Sequence, residues 1–277
     1  MTHPFRALSV LAVAFSCGAA HAQEAIFTPA ATQPAKGKVY VRQQFKFLSY
    51  GDDPTGLDRD IDEFASLTNI SVGVTGNLSF TLGVPLVYRE TDAPSGDDDH
   101  FGVGDLTLLG KFRFWQQDLG PIDTLRASII GGLGVPSYDD ELSSEGWNPI
   151  IGGVFTAVLG RHGFNAAARW TFTTDSEAAP VGPGKGIDDL LQYDLAYLFR
   201  IAPEAYTSET RGAWYLTAEL NGAYETNSDH ELLFSPGLLY EGITFAAEIG
   251  VQFPIVSDLD QRPETDFALV VGLRLLF

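Results

Sequence analysis

About twelve stretches of 10 to 13 residues place apolar side chains at every second position, and a chain patterned in that way pairs into sheets rather than helices. The last stretch shows it most fully. Phe267, Leu269, Val271, Leu273, Leu275 and Phe277 share one face, while Asp266, Ala268, Val270, Gly272, Arg274 and Leu276 share the other. Ala213–Glu225 and Ile243–Ile255 repeat the pattern, with Glu219 and Asn221, and then Glu248 and Gln252, on their polar faces. Two architectures use such a pattern. In a soluble sandwich the apolar face fills a core, whereas in a membrane barrel it meets lipid and the polar face lines the lumen. The stretches exceed the five or six residues typical of soluble strands and approach the span of a tilted membrane strand.

The connectors favour the barrel. Segments from Val39–Tyr50 to Thr265–Phe277 are joined alternately by long acidic loops (51–63, 91–103, 137–146, 174–188, 226–230, 256–264) and mostly short turns such as Gly76-Asn77, Gly160–Gly163 and Glu241-Gly242. Residues 202–212 break the short-turn rule. Aromatics recur near strand ends, as at Tyr88, Phe114, Trp170, Tyr224 and Tyr240, where an interfacial girdle would sit. The reading is an all-β, transmembrane, antiparallel up-and-down barrel of about twelve strands spanning 38–277.

Residues 1–22 read as a cleaved secretory leader. Arg6 is followed by the apolar run Ala7–Ala19 and an Ala20-His21-Ala22 cleavage site. Residues 23–37 are expected to form a periplasmic N-terminal segment. Cleavage removes the only Cys, Cys17, so thiol nucleophiles, disulfides and Cys-based zinc sites are excluded from the mature chain. It also removes Arg6, leaving 36 acidic and 16 basic residues, a net charge of −20 that disfavours nucleic acid as a partner. Export and pattern together point to the Gram-negative outer membrane. Phe277, last in an alternating strand, is expected to act as the assembly signal read by the barrel assembly machinery.

The face opposite the apolar one gives the candidate lumen lining: Arg42, Lys46, Asp105, Lys111, Arg113, Arg126, Arg169, Asp194, Glu219, Glu248 and Arg274. Such charges cost about 2 to 4 kcal/mol each at the bilayer midplane, so they face inward. Either they pair and fill a narrow barrel, or they line a water-filled pore that selects solutes. In the second case the basic members raise the local concentration of anions.

Several short motifs also carry a family resemblance. Gly102-Val103-Gly104-Asp105-Leu106 running into Lys111-Phe112-Arg113-Phe114, with Gly83-Val84-Pro85, Gly134-Val135-Pro136, Ser235-Pro236-Gly237 and Phe253-Pro254-Ile255, resembles the family described as the putative MetA-pathway of phenol degradation. The resemblance implies a barrel of about twelve strands and a channel for passive uptake of small aromatic or hydrophobic solutes. The alternatives are a plugged structural or surface-interaction barrel and, less favoured, a barrel hydrolase. Pro236 is expected to mark a bulge or an irregular stretch facing its neighbour.

Catalysis finds little support. The mature chain's three histidines, His100, His162 and His230, fall in loops or turns, and no nucleophile elbow, zinc-protease or phosphate-loop motif occurs. Asp229-His230 is a weak candidate for an acid–base dyad. The acidic loop residues, Asp97–Asp99 among them, read as a solvated rim, with weak divalent bridging to lipopolysaccharide as the alternative. No cofactor or metal site is implied. The expected partners are outer-membrane lipid, lipopolysaccharide and a small solute.

Overall fold

A computed structural model describes residues 24–137, 139, 141–177 and 179–277; the leader lies outside them. Among the described residues there are thirteen strands: β1 (Val39–Gly51), β2 (Asp60–Gly73), β3 (Leu78–Asp92), β4 (Asp98–Val103), β5 (Leu106–Asp118), β6 (Thr124–Val135), β7 (Asn148–Leu159), β8 (His162–Thr171), β9 (Leu190–Ala202), β10 (Gly212–Glu225), β11 (His230–Gly242), β12 (Phe245–Asp258) and β13 (Glu264–Leu276). Every neighbouring pair is antiparallel. The ladder runs from β2 through β1 and β13 down to β3, and the β2–β3 pairing closes it. Closure leaves no free edge in the twelve-stranded wall, which is how a sheet satisfies its backbone inside a membrane.

The thirteenth strand, β4, lies in the stretch expected to be the second long loop. It pairs with the upper half of β3 (Leu86–Val103 to Thr91–Asp98), while β5 pairs with the lower half of the same strand (Leu78–Phe112 to Gly83–Thr107). Together β4 and β5 form one interrupted strand, broken at Gly104-Asp105. The upper part of this strand pairs on one side only, and Asp139 and Leu142 lie against its Gly102.

The arrangement of polar and apolar residues inverts that of a soluble protein. Outward residues such as Leu195 (55% exposed), Ile249 and Leu273 are bare, whereas Glu219 (1%), Arg274 (3%) and Glu248 are buried. An apolar outer belt around a buried polar interior is stable only with lipid outside. Tight turns close the other end. At Gly160-Arg161 a positive φ of 62° on Gly160 suits a two-residue hairpin. The residue expected to signal assembly, Phe277, exchanges backbone hydrogen bonds with Val39 of β1, and its ring is exposed.

Candidate functional site: an occupied lumen

The interior is filled by the chain itself. In the segment expected to be the periplasmic N-terminal one (23–37), Ala25, Ile26, Thr28, Ala30 and Ala31 are wholly or almost wholly buried inside the barrel. The physical reason is that a wall lined with charged side chains can satisfy an extended backbone. Glu219 on β10 accepts N–H bonds from Ile26 (2.8 Å), Phe27 (3.1 Å) and Thr28 (2.7 Å). Carbonyls are met by cations: Arg42 donates to Ala25 and Ile26, Arg274 to Glu24 and Ala25, and Lys111 to Ala30 (2.8 Å) and Thr32 (2.7 Å). Further round the wall, Thr156 accepts from the Ala31 amide at 2.8 Å and Ser128 donates to the Ala31 carbonyl. A buried backbone must find partners, and these residues supply them.

Small residues make the room. A Cβ on Gly237 would collide with Ile26 Cδ1, and one on Gly250 would lie 2.9 Å from Phe27 Cε2. These glycines pair across β11 and β12 just where the ladder skips Ser235-Pro236, so Pro236 sits in an irregular stretch beside the inserted segment.

The wall charges are largely engaged with one another. Glu248 bonds Arg42 (Nε at 3.0 Å), Gln44 (2.8 Å) and Arg274. Asp194 accepts from Asn221 at 2.8 Å and faces Arg169 at 3.9 Å. Lys46, beside Arg42, Glu248 and Glu63, has no hydrogen bond or ion pair among the described residues. Arg113 donates to the Gly76 carbonyl (2.6 Å) and so caps the tight turn, while Arg126 bonds Thr124 at 3.3 Å. Both therefore belong to the short-turn end. Of the basic residues named as anion-attracting, Arg42 is neutralised by Glu248 and bound to the inserted segment.

At the long-loop end two loops fold into the mouth. Asp105, in the break between β4 and β5, accepts from Ser143 Oγ (2.5 Å), Ser144 N (3.0 Å), Ser144 Oγ (2.8 Å) and Lys185 Nζ (3.4 Å). Leu142 packs on Ala65 and Val87, and Val181 on Tyr50 and Ile61. Lys185 and Arg89 also reach Glu177, at 3.0 and 3.5 Å. Below, the 203–211 turn folds under the opposite opening: Arg200 donates to Pro203 and Glu204 carbonyls and stacks on Tyr206, which bonds Tyr215 at 2.6 Å. Lys185, Arg59 and Arg262 were not expected here, because irregular loops carry no periodicity to read. Arg59 pairs with Asp53, and Arg262 with Glu225 and Glu231.

Among the described residues, none of the three mature-chain histidines is hydrogen-bonded to a serine or threonine hydroxyl. His230 contacts Tyr193 Oη, His162 contacts Tyr197 Oη, and His100 lies between Asp139 and Glu141. The Asp229 carboxylate accepts from the amides of Asp260 and Gln261, so it shapes a turn and does not orient His230.

No protein-family model matches the chain, and no curated protein matches it in sequence. Among solved structures it is similar to the COG4313 outer membrane channel from Pseudomonas putida F1, with a TM-score of 0.60 at 13% identity over 89% of this chain and 97% of that one. The fold is that of an outer-membrane barrel. The translocator domain of the autotransporter NalP from Neisseria meningitidis (TM-score 0.48, 12% identity, 87% of this chain and 88% of that one) and the CymD monoaromatic hydrocarbon channel (0.42, 8%, 88% and 89%) are more distant and carry no argument. The phenol-degradation resemblance therefore rests on the quoted sequence motifs alone.

Proposed function

We propose that the chain is a non-enzymatic outer-membrane channel for slow, passive uptake of small solutes, and that the conformation described is its closed state. The leader ending at Ala22, which falls outside the described residues, would direct it there through export and the barrel assembly machinery. The observation that carries the reading is how the lumen is filled. The lumen is filled by a separate stretch of backbone outside the wall, held mainly by hydrogen bonds to Glu219, Arg42, Arg274 and Lys111. Each of these bonds has a charged partner and is worth about 1.5 to 3 kcal/mol net, so withdrawal of the segment requires water to enter the lumen and take over as partner. The withdrawn segment would leave a polar, charged passage. Small aromatic or carboxylate-bearing solutes suit the motif resemblance together with the unpaired Lys46 and the loosely paired Arg169.

Deleting residues 24–32 from the exported protein tests this. The folded variant should swell liposomes several-fold faster than wild type in benzoate-sized solutes. A folded variant as impermeable as wild type would favour the plugged structural barrel instead.

A further inference from the structure

Among the described residues, three cations at the short-turn opening form no ion pair. Lys111 and Arg113 lie two residues apart on the inward face of β5, and Arg126 shares the inward face of β6 with Ser128, the residue opposite Arg113. Arg113 lies within electrostatic reach of both Lys111 and Arg126. Elsewhere in the lumen Arg42, Arg169 and Arg274 each face a carboxylate. Here the partners are neutral: Lys111 donates to the Ala30 and Thr32 carbonyls, Arg113 to oxygens of Gly76 and Asn77, and Arg126 to Thr124 Oγ1. Like charges held this close repel one another until an anion sits among them. We infer that Arg113 and Arg126, with Lys111 behind them, form a binding site for a small oxyanion that enters from the short-turn side.

The acids around the cluster are committed to other donors. Asp118 lies within electrostatic reach of both arginines, but its carboxylate accepts from Gln116 Nε2 (2.9 Å to each oxygen) and Thr124 Oγ1 (2.8 Å). Glu24, within reach of Lys111, is held by Tyr40 Oη at 3.0 Å and by Arg274. Thr124 also accepts from Arg126 Nε at 3.3 Å, which fixes the guanidinium while its two Nη groups bond nothing among the described residues. A guanidinium presents its donors as a planar fork that fits two oxygens of one oxyanion. Three cations against acids already engaged favour an anion of two charges, of the sulfate or dicarboxylate kind, over chloride. Gln33 shares the Gly76 carbonyl with Arg113, so the inserted segment leaves the barrel beside the cluster, and Arg126 stays partly exposed. Anion binding therefore needs no movement of that segment.

The proposal does not require conduction, so it stands or falls separately from the channel reading. Titration calorimetry with inorganic sulfate tests it on the exported protein, folded in nanodiscs at physiological ionic strength. Wild type should bind sulfate in a single saturable step. Arg126→Gln alone, and the Arg113→Gln, Arg126→Gln pair, should each weaken binding by at least about tenfold, as loss of a charge-assisted contact requires. Heat-modifiability confirms that each barrel is folded. Lys38→Gln removes an exposed cation at the same end and should leave the affinity unchanged. Nanodiscs of phosphatidylcholine and of phosphatidylglycerol should give the same affinity, because the arginines face the lumen. Absence of sulfate binding by wild type, undiminished binding in the double variant, or equal weakening by Lys38→Gln would overturn the proposal. Sulfate binding lost in phosphatidylglycerol discs would overturn it in favour of a lipid headgroup site.

Discussion

Glu248→Leu is expected to destabilise the folded barrel by about 3 to 5 kcal/mol, because it leaves Arg42 and Arg274 buried without their shared carboxylate. Glu248 has almost no exposed surface and also holds Gln44 at 2.8 Å, so no water shell stands ready to take over. Glu248→Gln keeps one acceptor oxygen but turns its NH2 on an arginine N–H, so it should cost less than Glu248→Leu yet remain clearly destabilising. Urea titration of the folded protein in lipid vesicles, followed by tryptophan fluorescence, measures both. A loss below about 1 kcal/mol for Glu248→Leu would place the pair in water, as for an exposed ion pair.

The second large effect concerns the outer face. Leu273 is 44% exposed at a strand position surrounded by apolar neighbours, and Leu273→Arg should cost about 2 to 4 kcal/mol near the midplane. Alternation alone suggests that Val270→Arg on the opposite face would be milder. The structure reverses that expectation. Val270 is 0% exposed in a lumen already filled, so an arginine there both overpacks and adds an unpaired charge. The same unfolding measurement should show Val270→Arg at least as damaging as Leu273→Arg; a benign Val270→Arg would mean that the interior is open.

The wall was legible in the sequence because its period is enforced by two solvents, lipid outside and a polar interior. Where local geometry breaks that period, the reading fails for a physical reason. A register shift between Ser49 and Tyr50 leaves Asp266 and Phe267 both exposed, although alternation puts Asp266 in the lumen. A bulge between Arg113 and Trp115 likewise exposes Phe114 and Trp115 together. The β4 strand was hidden because Gly104-Asp105 interrupts its line with β5, and its Asp-rich start resembles a loop. The lumenal segment was hidden more deeply. Residues 24–32 have no regular secondary structure, and their partners, Glu219, Arg42, Arg274, Lys111, Thr156 and Ser128, are spread over six strands. Charges on an inward face can serve one another, a solute or a backbone, and pattern does not distinguish these.

Movement of the inserted segment is the decisive quantity, and one cross-link controls it. The Ala31 amide lies 2.8 Å from Thr156 Oγ1, so the pair Ala31→Cys with Thr156→Cys ties the segment to β7 in a mature chain that otherwise lacks thiols. In planar bilayers the oxidised protein should be silent, and adding a reductant should bring openings and solute flux to the wild-type level in the same membrane. Identical conductance or solute flux before and after complete reduction would contradict a channel opened by withdrawal of this segment.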